Sequence, residues 1–81
     1  MPTIHRGAGW KILIFANDHS PPHVHIVSAE HDVQIGIADD LVLRGSMRAM
    51  RELADAMQWV REHRGQLLRD WNRIVERARD D

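Results

Sequence analysis

The spacing of apolar residues changes once along this chain, from every second position to every third or fourth. That change separates a strand-forming half from a helix-forming half. Residues 10–16 follow the breaker Gly7-Ala8-Gly9 and are rich in β-branched and aromatic side chains. Trp10, Ile12 and Ile14 fall on one side of such a strand, Leu13 and Phe15 on the other. Two apolar faces predict a strand covered on both sides for part of its length, most simply a central one. Residues 17–22 are polar and end in Pro21 and Pro22. Neither proline can donate to a sheet ladder, so the next strand starts near His23.

Residues 23–28 alternate, with Val24 and Ile26 on one face and His23 and His25 on the other. Val33, Ile35 and Ile37 share a face in a further strand over 33–38. In an antiparallel pair the partner numbers add to a constant, and matching apolar with apolar makes it odd. Pairing Ser28 with Val33 meets that condition and leaves residues 29–32 as a four-residue loop. Val24 then faces Ile37 and His25 faces Gly36, with both histidines on the side away from the buried face. A turn at Ala38-Asp39-Asp40 leaves room for a short fourth strand at 41–43.

Ser46, after Gly45, is a good helix N-cap. Met47, Met50, Leu53, Ala54, Met57 and Val60 follow at spacings of three and four and predict a helix over 47–63. The stripe pauses at His63-Arg64-Gly65 and resumes with Leu67, Leu68, Trp71, Ile74, Val75 and Ala78, predicting a second helix over 66–78. The short connection makes a helical hairpin, and the tail Arg79-Asp80-Asp81 is expected to fray. A sheet with one apolar face needs a cover, and two amphipathic helices need something to cover. The expected fold is therefore a two-layer α+β domain: an antiparallel three- to four-stranded β-meander, then a C-terminal helical hairpin.

Composition narrows the options. Eighty-one residues make one domain with a small core, and 43% hydrophobic with 28% charged residues is ordinary for a globular chain. The longest apolar run, residues 12–16, is far short of a membrane span. The start Met1-Pro2-Thr3 has no basic stretch leading into an apolar one, so the cytoplasm is the expected location. Three tryptophans and the internal Met47, Met50 and Met57 exceed what so small a core needs and point to a homodimer. Cysteine is absent, which excludes disulfides and thiolate ligands.

Histidine is the anomaly: six in all, four of them between His19 and His31. His23 and His25 project the same way from one strand with their bases about 6–7 Å apart, a separation that lets both reach one metal ion. His19, at the end of a proline-stiffened loop, offers a third nitrogen. Asp18 offers either a ligand or the acceptor that fixes a tautomer. A His19, His23 and His25 set with an open position describes a centre for a divalent transition metal such as Zn, Ni or Cu. A metal-free reading uses the same region: His23 and His25 as general base and acid, with Asp18 beside them, on the 2′-hydroxyl of RNA. The plainer alternative is that polar-face histidines point at solvent. His5, His31 and His63 read as structural or solvated. The cupin metal motif is excluded by spacing, and the histidine-triad hydrolase motif by Val27, which stands where its third histidine belongs.

The formal net charge of −1 is unevenly spread. Residues 1–43 carry two basic and five acidic side chains, and residues 44–81 carry nine arginines and seven acids. Arg44, Arg48 and Arg51 share one helical stripe, and Arg69, Arg73 and Arg77 another. Pairs Arg48–Glu52, Arg51–Asp55 and Arg73–Glu76 favour a solvated, salt-bridged surface over a phosphate-binding one.

Taken together, Phe15, Asn17, Asp18, His19, Pro21, Pro22, His23, Val24, His25 and Ile26, followed by Glu62, Leu67, Leu68, Trp71 and Asn72, form a pattern. It resembles the small bacterial domain-of-unknown-function family 4160 over nearly the whole chain. Genes of that family often stand beside those of another small uncharacterised family, in an arrangement like a toxin–antitoxin pair. The resemblance thus implies a cytoplasmic bacterial protein with a small protein partner encoded nearby, acting on RNA if it is the toxin. Three functions follow as expectations: a toxin–antitoxin component using the histidine cluster, a metal-binding module or small metalloenzyme, and a non-catalytic protein-interaction domain.

Overall fold

In the computed structural model, which describes residues 3–39 and 41–76, five antiparallel strands follow chain order, each hydrogen-bonded to the next. They are β1 (Thr3–Arg6), β2 (Trp10–Leu13), β3 (His23–Ser28), β4 (Asp32–Gly36) and β5 (Val42–Arg44). Helices α1 (Met47–Glu52), α2 (Ala54–Glu62) and α3 (Arg64–Trp71) come next, and a π-helical segment, Asn72–Glu76, follows them. This is the α+β arrangement that the periodicity predicts, with one strand more. Arg77 and Ala78 of the expected second helix and the Arg79-Asp80-Asp81 tail lie outside the described residues. So do Met1, Pro2, Asp40 and the side chain of Glu76.

The additional strand is β1. Four residues are too few to show a period, and the glycine breaker expected to precede the sheet is its first hairpin turn. The Gly7 N–H donates to the Trp10 carbonyl at 2.9 Å, and Gly9 sits at φ 80°, where a side chain is strained. Gly7 is needed for space: a Cβ there would lie 2.2 Å from the Trp10 ring.

The β3–β4 hairpin keeps the expected parity but not the expected register. Val24 pairs with Ile35, His25 with Gln34 and Ile26 with Val33, so the partner numbers sum to 59 rather than 61. Ser28 closes a tighter turn than the four-residue loop. Its N–H donates to the His31 carbonyl at 2.9 Å, and its hydroxyl accepts from the N–H groups of Glu30 and His31. A shift of two residues leaves every side chain on its original face.

Ser46 caps α1 through its hydroxyl, which accepts from the Ala49 N–H at 3.0 Å. The helix predicted over 47–63 is interrupted at Leu53, with φ −103° and ψ 22°. The Leu53 N–H still reaches the Ala49 carbonyl at 2.9 Å, so the buried line crosses the break. That line is Ala49, Leu53, Ala56 and Val60, continued by Leu67 and Trp71. Met47 is 79% exposed and stands outside it. These side chains pack on Ile12, Val24, Ile26, Val33 and Ile35 of the sheet. Of the described residues, no helix is long and apolar enough to cross a membrane.

Candidate metal centre

The pairing of β3 with its neighbours puts His25 opposite Leu13 on β2 and Gln34 on β4. His23 stands opposite Gly36. Both histidines leave the sheet on the face opposite Val24 and Ile26, as alternation requires. That face is covered here, because His23 is 7% and His25 8% exposed. The Phe15 ring meets His25 edge-on at 4.7 Å, and the Trp71 ring lies 5.3 Å from His23.

The β2–β3 loop supplies the third group. Asp18 donates its N–H to the Phe15 carbonyl at 3.0 Å, and its Oδ2 accepts from the Phe15 N–H at 3.1 Å. This reciprocal turn aims the carboxylate at the histidines. His25 Nε2 lies 3.2 Å and His23 Nε2 3.7 Å from Asp18 Oδ2. The far side of each imidazole also faces an oxygen. His23 Nδ1 donates to the Pro21 carbonyl at 2.9 Å, an arrangement that in a neutral imidazole puts the lone pair on Nε2. His25 Nδ1 faces Asp32 Oδ1 at 3.8 Å. The Ser20–Pro21 peptide is cis.

Donor atoms of Asp18, His23 and His25 all lie within 4.8 Å of one another. Two ligands bound to one zinc ion at about 2.0–2.1 Å in tetrahedral geometry stand about 3.3 Å apart. The contacts at 3.2 and 3.7 Å bracket that spacing on the two edges from Asp18, and the third edge, between the imidazoles, lies within 4.8 Å. Of the expected trio His19, His23 and His25, the structure brings together the last two. His19 is exposed and stands outside the donor group, whose third member is Asp18.

Two arrangements were not legible in sequence. Glu30, His31 and Glu52 also form a group of converging donors, joined by a hydrogen bond from His31 Nε2 to Glu52. His31 and, next to it, Arg48 hold the Glu52 carboxyl below the usual carboxylate range. Their 21-residue separation hides the pairing. In the second, the Trp59 indole stacks between His5 at 4.2 Å and His63 at 4.0 Å. Two helix arginines behave as surface charges: Arg48 pairs with Glu52 as expected, while Arg73 pairs with Asp70 at 3.1 Å.

A family model described as a domain of unknown function, DUF4160, matches residues 9–72. No curated protein and no solved structure matches the chain.

Proposed function

Because the chain belongs to the DUF4160 family, whose description assigns no chemistry, we propose its function from the site itself: a small metal-binding module that holds one divalent transition ion. The ligands are Asp18, His23 and His25. The carrying observation is the convergence of one carboxylate and two buried imidazoles at the spacing of ligands on a single ion. Second-sphere oxygens support it, since metal-bound histidines ordinarily donate their other N–H to a carbonyl or carboxylate. The Pro21 carbonyl accepts such a bond from His23 Nδ1, and the Asp32 carboxylate lies 3.8 Å from His25 Nδ1.

Three protein ligands leave at least one position on a four-coordinate ion for water or substrate. Acid–base cleavage of RNA by the same histidines is less well supported. A proton shuttle must touch its phosphodiester, and these side chains are 8% and 10% exposed. An ion needs far less access.

The test is elemental analysis of protein made without a histidine tag, followed by Co²⁺ titration read in the visible spectrum. One equivalent with tetrahedral-type absorption is expected, lost in both His23→Ala and His25→Ala. Wild-type protein that takes up no Co²⁺, Zn²⁺, Ni²⁺ or Cu²⁺ refutes the proposal.

A further inference from the structure

The first 43 residues contain only two basic side chains, Arg6 and Lys11, and the β1–β2 register places them directly opposite each other. Opposed residues of an antiparallel pair project to the same face with Cα atoms about 4.5–5.5 Å apart. Like charges in that relation repel unless an anion lies between them. Neither residue forms an ion pair with a carboxylate among the described residues, whereas Arg48 and Arg73 do. The row continues through Val27 to Asp32, two strands and about 9–10 Å from Lys11. Asp32 faces His25.

A cleft of about 280 Å³ opens at this place, lined by Arg6, Gly7, Gly9, Trp10, Lys11 and Val27. Gly9 leaves open space, with no atom within 4 Å of where its Cβ would be. A planar guanidinium fork and a mobile ammonium on the same face of adjacent strands suit a tetrahedral phosphate anion, whose non-bridging oxygens can accept from both at once. We propose that Arg6 and Lys11 form a phosphate-binding site, taking either a small phosphate compound or a phosphodiester of nucleic acid. The site shares no residue with the metal centre, and the two stand or fall separately.

Amide chemical-shift titration of the tag-free protein tests it, with inorganic phosphate in one arm and a short oligouridylate in the other. Saturable shifts centred on residues 6–11 and Val27 are expected in at least one arm. Arg6→Gln and Lys11→Gln should each weaken binding about fivefold or more. Arg44→Gln removes a cation from the same face of the sheet, since Arg44 pairs with Gln34, and should leave the affinity unchanged. Oligouridylate binding tighter than phosphate identifies a phosphodiester ligand; equal or stronger binding of phosphate identifies a small one. No saturable shift in either arm overturns the proposal. So does an Arg44→Gln loss as large as that of Arg6→Gln, which would reduce the effect to diffuse charge.

Discussion

Asp18→Asn is the sharpest perturbation of the proposed metal centre, because it keeps the shape of the side chain and removes its charge. Asp18 is the only carboxylate in the buried group, and its Oδ2 also accepts from the Phe15 N–H at 3.1 Å. An ion that binds only the folded state stabilises it by about 2.7 kcal/mol at a concentration a hundredfold above Kd. For a domain of this size each kcal/mol moves Tm by roughly 4–8 °C. Saturating Zn²⁺ should therefore raise the wild-type Tm by about 10–20 °C. The substituted amide is a neutral, weaker donor, and the shift should collapse to less than about 2 °C at the same Zn²⁺ concentration. Without metal, Asp18→Asn should itself cost up to about 1.5–3 kcal/mol, the range for a hydrogen bond to a charged group. Differential scanning fluorimetry in chelator-treated buffer, with added ZnCl₂, reads all three quantities. His19→Ala should retain the full shift. If His19→Ala loses it while Asp18→Asn keeps it, the ligand set argued from the geometry is wrong.

Two further outcomes test other parts of the structure. Ser46→Ala removes the hydroxyl that caps α1 and should cost about 1 kcal/mol by urea denaturation; an unchanged midpoint would mean that the cap contributes nothing. Glu52→Gln probes the tie between the β3–β4 turn and α1. Because His31 and Arg48 hold the Glu52 carboxyl below its ordinary value, the folded state binds fewer protons than the unfolded one in acid. The stabilisation is then complete above the ordinary glutamate pKa of about 4.3 and vanishes as pH falls through the lowered folded value. Wild-type and Glu52→Gln urea midpoints should differ at neutral pH and approach each other as pH falls from the ordinary glutamate value through the lowered folded one, and a gap that does not narrow in acid contradicts the linkage.

Side-chain parity explains why much of the fold is legible in the sequence. A strand allows two faces, so Val24 and Ile26 had to oppose His23 and His25 whichever register was chosen. The register itself was not legible. Sums of 59 and 61 satisfy the same apolar matching, and the choice lies with Ser28, whose hydroxyl satisfies two N–H groups of a tight turn. The break at Leu53 was hidden because its backbone departs from the helix while its side chain stays in the buried line. Selection of Asp18 over its neighbour His19 rests on a reciprocal backbone turn with Phe15. Spacing alone does not encode it.

The two apolar faces of residues 10–16 carry a further meaning in light of that turn. Read as a pattern, Leu13 and Phe15 predict a central strand covered on both sides. In the structure β2 ends at Leu13, which pairs with His25 and is 3% exposed. Phe15, already in the loop, lays its ring against the same imidazole. The second apolar face is therefore part of the cover over a polar site, and that cover is why two histidines on the nominally outer side of a sheet are buried. Trp71 closes the other flank against His23 from the end of α3. Groups from the β2–β3 loop, β3 and the last α-helix thus surround one small volume. An ion bound there ties the loop to the strand through its ligands and rests, through His23, on the helix layer. Metal binding and stability should therefore be strongly coupled in a domain whose core is this small.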